Sequence, residues 1–164
     1  MNRRGVGRLA DAHFMGKAIQ VALENVQTNQ GGPFGAVVVK DGKIIGTGRN
    51  QVTATNDPTA HAEVQAIRAA CQYLSDFQLI DCEIYTSCEP CPMCMGAIYW
   101  ARPKAVYYTC TKEEAAIIGF DDQFIYEELL LPIDQRKLTM KQIMIDQRDS
   151  PFQAWENSQE KVDY

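Results

Sequence analysis

Cys88, Cys91 and Cys94 fall within seven residues, and the stretch that carries them, Cys88-Glu89-Pro90-Cys91-Pro92-Met93-Cys94, runs into a predicted helix. The start of the chain, Met1 to Phe14, is basic at Arg3, Arg4 and Arg8 but has no apolar run of signal-peptide kind. Without a secretory signal, so tight a cluster reads as metal binding or redox chemistry rather than as a disulfide frame. Cys91 and Cys94 are three apart, so one helical turn puts both sulfurs on one face. Their place at a helix N-terminus favours thiolates, the form that binds metal. A second fragment, His61-Ala62-Glu63, also opens a predicted helix after loop. One imidazole and two thiolates leave the fourth tetrahedral position of zinc open, as in a catalytic site. A fold that uses this set must carry both helix starts to one point.

The chain holds only two histidines, and His13 has no acidic neighbour placed like Glu63, so His61 is the ligand expected. Glu63 can reach the open coordination position without itself binding the metal. Zinc lowers the pKa of its water to about 7, and a carboxylate beside it can take and return protons. Cys88 precedes the helix and does not share the face of Cys91 and Cys94; as a fourth ligand it would close the site and make it structural. Cys71, Cys82 and Cys110 fall in helix or strand patterns and read as small buried hydrophobes.

At 164 residues, with 46% hydrophobic and 23% charged residues, the chain fits one compact globular domain. No apolar run approaches the roughly 20 residues needed to cross a bilayer, so the location expected is cytoplasmic and no membrane partner is indicated. The basic start reads as a disordered arm or cloning remnant. Net charge is −5, which disfavours a polynucleotide partner, because phosphate neutralisation supplies much of that affinity.

Apolar spacing predicts a first helix from about Asp11 to Val26, stopped by Gly31-Gly32-Pro33. Strands follow at Phe34 to Lys40 and around Lys43 to Gly48, joined by a turn at Asp41-Gly42. Asn50 to Pro58 is loop, and Thr59 to about Tyr73 is helix. A strand at Cys82 to Thr86 leads through a loop to a helix from about Cys91 to Ala101. A strand at Lys104 to Thr109 and a short helix at Lys112 to Ile118 come next. In the last third we expect a helix near Asp122 to Leu131, a strand near Leu138 to Ile145 and a short helical tail after Pro151. Strands alternating with helices argue for an α/β fold, a sheet covered by helices.

Taken together, the two fragments match the His-x-Glu…Pro-Cys-x-x-Cys signature of zinc nucleobase deaminases. The runs Asp57-Pro58-Thr59-Ala60-His61-Ala62-Glu63 and Thr86-Ser87-Cys88-Glu89-Pro90-Cys91-Pro92-Met93-Cys94 resemble the cytidine deaminase-like superfamily. Gly31-Gly32-Pro33-Phe34-Gly35-Ala36, Gly96-Ala97-Ile98-Tyr99-Trp100-Ala101-Arg102, Gly119-Phe120-Asp121-Asp122 and the ending Ser150-Pro151-Phe152-Gln153-Ala154-Trp155, closing on Tyr164, are similar to its small bacterial guanine deaminases. This likeness runs from the first helix to the last residue.

The resemblance implies a three-layer α/β/α fold around a five-stranded mixed sheet, one zinc per chain, and hydrolysis of guanine to xanthine and ammonia in purine catabolism. It implies that Phe34 and His61 flank the purine, that Asn50 hydrogen-bonds its edge and that Asp122 meets the guanine face. Backbone groups at Ala62 and Cys91 would help hold the attacking water, and Trp100 would wall the pocket. Water activated by zinc would attack C2; Glu63 would take its proton and pass it to N3, and would later protonate the departing amine. The family's guanine enzymes are dimers that exchange C-terminal segments, which implies a homodimer with residues 151–164 swapped and Tyr164 entering the partner's pocket.

Hydrogen-bonding chemistry points the same way. Guanine presents N1–H and a 2-amino group as donors where adenine offers an N1 acceptor, and an ionised carboxylate such as Asp122 only accepts. The alternative for Asp121 and Asp122 is to cap the following helix. Guanosine, cytosine and triazine amines stay open as substrates. So do two rival readings, a tRNA adenosine deaminase and a non-catalytic zinc-stabilised domain; the acidic balance opposes the first and Glu63 the second.

Overall fold

The computed structural model describes residues 3–164, with side chains from residue 12 onward. It comprises two compact units, Met1–Asp122 and Gln123–Tyr164. The placing of Met1 and Asn2 in a free arm lies outside the described residues. Helix α1, Arg3–Gln27, begins well before Asp11, so most of the stretch read as an arm is helical.

In the first unit, β1 (Gly35–Lys40) and β2 (Lys43–Arg49) form an antiparallel hairpin. Asp41 and Gly42 both take positive φ, 50° and 73°, the turn geometry whose twist matches that of paired strands. The sheet continues through β3 (Glu83–Cys88), antiparallel to β1, to β4 (Ala105–Cys110), parallel to β3. The order is β2-β1-β3-β4.

Strand β1 is buried on both faces, and its alternation assigns them. Val37 and Val39 pack with Tyr85 of β3 and with Phe14 and Ala18 of α1. Ala36 and Val38 pack with Ile84 and with α3 (Ala62–Leu74) and α4 (Pro92–Ala101). Helices therefore cover the sheet on both sides, as the strand and helix rhythm predicts.

The approach of α3 to the sheet is unusually close. Its inner stripe is Ala62, Ala66 and Ala70, all fully buried, and it lies over Gly46 and Gly48 of β2. A Cβ at Gly48 would sit 2.0 Å from the Ala62 carbonyl oxygen, and one at Gly46 would sit 2.5 Å from that of Ala66. Glycine there is a requirement of backbone contact rather than of φ. The consequence is that the first turn of α3, with His61 and Glu63, is fixed against the sheet end.

Two short helices complete this unit, α2 (Val52–Thr55), within a stretch expected to be loop, and α5 (Lys112–Ile117). Helix α5 starts in a capping box. Thr111 accepts from the Glu114 N–H, and the Glu114 carboxylate accepts from the Thr111 N–H at 2.8 Å.

The second unit holds α6 (Gln123–Leu130), a 3-10 turn at Ile133–Gln135 and α7 (Ser150–Asn157). The strand expected near Leu138 to Ile145 does not form, so the sheet has four strands among the described residues rather than five. A strand needs a neighbour to satisfy its backbone groups, and this unit contains no other strand. Leu138, Met140, Ile143, Met144 and Ile145 are left exposed. Among the described residues no helix is long and apolar enough to cross a membrane.

Candidate metal centre and substrate cleft

His61 and Cys91 are the N-cap residues of α3 and α4, and neither uses its side chain to cap its helix. Such positions favour Ser, Thr, Asp or Asn, whose oxygens satisfy first-turn N–H groups. Here both side chains turn away from their helices and toward each other. His61 Nδ1 lies 3.6 Å from Cys91 Sγ and 3.5 Å from Cys94 Sγ. One ligand atom from each of the three residues lies within 4.8 Å of the others. Zinc bonds of about 2.0 Å to nitrogen and about 2.3 Å to sulfur, at tetrahedral angles, separate N from S by about 3.5–3.6 Å. The three side chains fit that ion.

The charges fit as well. Cys94 donates a hydrogen bond to Cys91, which together with His61 pulls the Cys91 thiol down to about 4. The same bond, with burial, pushes Cys94 upward. Two sulfurs this close share one negative charge unless a cation joins them; a divalent ion allows both to bind as thiolates. Hydrogen bonding to Cys91 raises the pKa of His61.

Glu63 sits in the first turn of α3 and is buried. Thr86 Oγ1 on β3 donates to its Oε1 at 3.2 Å, while its Oε2 faces Cys94 Sγ at 3.5 Å. The carboxylate thus borders the three-ligand group without belonging to it. Burial pushes its pKa up, toward a range where it can both take and give a proton.

Cys88 is separate from this group. Its Sγ donates to the Thr111 carbonyl at 3.6 Å, outside the His61, Cys91 and Cys94 group, and burial pushes the thiol up to about 12. Of the other cysteines, Cys82 is buried and Cys71 half-buried, but Cys110 is exposed, contrary to its reading as core. It lies at the end of β4, the outer strand of the sheet.

A cleft of about 470 Å³ opens onto the metal centre. His61, Glu63 and Cys91 form its floor, Gly32, Phe34 and Asn50 one wall, and Asp121 and Asp122 another stretch of lining. Phe34 meets Phe120 edge to face, with ring centroids 4.8 Å apart. Asn50 Oδ1 accepts from the Val52 N–H at 3.4 Å, which leaves its NH2 group as the donor it can offer. Burial raises the pKa of Asp122, and the charge of Cys91 adds to the effect, so this carboxyl stands within electrostatic reach of the metal ligands.

Two residues expected at the pocket, Trp100 and Ala62, are not among those that line the cleft. Trp100 does not line the cleft and is 62% exposed. Helix α4 buries Cys94, Ile98 and Ala101, a stripe that turns position 100 outward. Ala62 is fully buried beneath α3 and offers only backbone, its N–H being one of the first-turn donors without a helical partner. Tyr164 belongs to the second unit and is exposed. Sequence reasoning passed over Phe120, Thr86, Glu89 and Lys112. Thr86 alone leaves a signal: it is a polar residue in the buried register of β3, two places from Ile84 and Cys88.

Residues 9–110 match the family described as "Cytidine and deoxycytidylate deaminase zinc-binding region". The guanine deaminase of Bacillus subtilis is 56% identical over 151 residues, 92% of this chain and 97% of that protein. The crystal structure of guanine deaminase from Bacillus subtilis superposes with a TM-score of 0.91 at 53% identity, covering 100% of this chain and 99% of that one. A variant of NE0047 solved with 8-azaguanine gives a TM-score of 0.65 at 32% identity, over 69% of this chain and 64% of that chain. A tRNA-specific adenosine deaminase of Agrobacterium fabrum is 41% identical over 96 residues, 58% of this chain and 62% of that protein.

The site predicts its own metal analysis. Purified protein should carry about one zinc per chain by elemental analysis, lost in Cys91→Ala and in Cys94→Ala and retained in Cys88→Ala. Loss of zinc from folded Cys88→Ala would contradict the open three-ligand site.

Proposed function

Because the chain belongs to the cytidine and deoxycytidylate deaminase family, we propose that its cleft binds guanine and that the protein hydrolyses it to xanthine and ammonia. Glu63 supports this reading most, as a buried carboxylate at the edge of a three-ligand zinc site whose fourth position is open. Zinc bound there supplies the acidity that turns water into a nucleophile at neutral pH. His61, Cys91 and Cys94 hold the metal. Glu63 takes one proton at a carboxylate oxygen as the water oxygen adds to C2 and delivers it to guanine N3; it then takes the second proton from the C2 hydroxyl and gives it to the 2-amino group, so that the C2–N bond breaks, ammonia leaves and the C2 carbonyl of xanthine forms. Thr86 holds the other oxygen and so fixes the direction of the transfer.

The substrate side rests on four residues. Phe34 and His61 flank the purine, Asn50 donates its NH2 to an acceptor on the ring edge, and Asp122 accepts from guanine's donors. Pairing with those donors favours the ionised carboxylate and offsets the burial that raises its pKa. Backbone N–H groups at the starts of α3 and α4, from Ala62 and Cys91, point to the developing charge. Asp121, Asp122 and Glu89 outnumber Lys112 along the cleft, a lining better suited to a neutral base than to a phosphate backbone. This favours guanine over a tRNA anticodon.

The proposed working unit is a cytoplasmic homodimer, each chain a single deaminase domain whose residues 151–164 are exchanged with its partner. Strand β4 stands at the edge of its sheet, and residues 138–145 expose apolar groups without any ladder of their own. Phe152, Trp155, Val162 and Tyr164 are also exposed, more apolar surface than a solvated end carries. In the proposed exchange Tyr164 enters the partner's pocket.

Two outcomes test this reading. In an ammonia-release assay over guanine, guanosine, cytosine, adenine and a tRNA anticodon stem-loop, guanine should be the preferred substrate. Zinc-replete Glu63→Gln should lose at least about a thousandfold in kcat, because an amide neither takes up nor releases a proton at neutral pH. Preference for another substrate would refute the substrate assignment, and near-normal turnover by Glu63→Gln would refute its role. For the exchange, chains lacking residues 151–164 and Glu63→Gln chains, each inactive alone, should regain activity when mixed. Persistent inactivity despite subunit exchange shown by native mass spectrometry would overturn it.

A further inference from the structure

We infer that Asn25, on a helix with no described residue in the cleft lining, is a positioning residue that holds the substrate-facing wall in register with the metal centre. Asn25 lies in the last turn of α1 and is fully buried. Its side-chain Nδ2 donates two hydrogen bonds, one of 2.8 Å to the Gly32 carbonyl and one of 2.8 Å to the Asn50 carbonyl. Gly32 and Asn50 both line the cleft, and Phe34 is tied between them. The Phe34 N–H donates to Gly32 at 2.8 Å, and the Asn50 N–H donates to Phe34 at 3.1 Å. One amide therefore clamps both ends of the segment that presents Phe34 and Asn50.

Two observations argue that this clamp is more than core packing. Among the described residues the buried stripe of α1 is Phe14, Ala18 and Ala22, all apolar, until Asn25 breaks it. The amide is also oriented wholly by its donors, because its Oδ1 is buried and meets no donor among the described residues. A side chain kept there at the expense of an unmet acceptor is kept for its two N–H groups. Gly31 completes the arrangement: a Cβ on it would fall 2.2 Å from the Asn50 carbonyl oxygen and 3.0 Å from Asn25 Nδ2. The loop thus passes in backbone contact at the point the amide grips.

Glu63 and the metal ligands are carried by α3, α4 and β3 rather than by the clamped loops, which meet them through the Gln51 N–H donating to the Ala60 carbonyl at 2.9 Å and the Gly35 N–H donating to Ser87 Oγ at 3.1 Å. Loosening it should displace the groups that bind the base and leave the groups that move protons in place. This rests on the substrate reading above. The test is steady-state kinetics on guanine by zinc-replete wild type, Asn25→Ala and Asn25→Ser, with melting temperature and zinc content measured alongside. Asn25→Ala should raise KM about tenfold with kcat within about threefold and zinc unchanged. Asn25→Ser keeps one donor and should fall between, which preserves the test should alanine prevent folding. Folded variants with a lowered melting temperature but unchanged KM would reduce Asn25 to a structural residue and overturn the inference alone. A wild type inert toward guanine would overturn the substrate reading and this inference with it.

Discussion

Two helix N-termini meet head to head in this protein, and the meeting is unfavourable until something negative lies between them. The starts of α3 and α4 each carry partial positive charge from unsatisfied N–H groups, and His61 and Cys91 are the residues at those two starts. Thiolates from Cys91 and Cys94 and the carboxylate of Glu63 supply the negative charge. A zinc ion held by His61, Cys91 and Cys94 would offset the repulsion between the two sulfurs. The fold serves this meeting through backbone proximity. Gly46 and Gly48 let α3 lie almost in contact with β2, while the parallel pairing of β3 with β4 sets the loop from which α4 departs.

The same charges shape what the cleft accepts. The acidic groups at its walls, Glu89, Asp121 and Asp122, suit the proposed neutral, donor-rich base better than an anion. Phe34 and Phe120, packed edge to face, add an apolar surface of the kind that stacks on a purine ring. The walls come from loops rather than strands, so their placement depends on discrete hydrogen bonds such as those of Asn25, whereas the catalytic floor inherits the rigidity of the sheet.

What the sequence made legible follows from how local the signals are. The hairpin at Asp41-Gly42, the helix carrying His61 and Glu63, and the Cys-x-x-Cys helix are all written in short-range spacing, and each lies within a few residues of its expected bounds. Residues 138–145 mislead because alternating apolar residues specify a strand only when a neighbouring strand exists to receive it. Trp100 rests on the resemblance, which carries a residue's identity but not the helix face it occupies, and α4 turns it away from the cleft lining. Thr86, Phe120 and Asn25 act across the fold, at sequence distances where no periodicity operates. Asn25 was legible only as one more position on an amphipathic helix.

The account stands on a zinc ion held by one nitrogen and two sulfurs, with one position left for water. X-ray absorption at the zinc K-edge of the purified protein measures that ligand set directly. The prediction is two sulfur scatterers at about 2.3 Å and two nitrogen or oxygen scatterers at about 2.0–2.1 Å, the latter being His61 and a solvent oxygen. A fit requiring three sulfurs would place Cys88 in the coordination sphere, close the site and contradict the catalytic assignment.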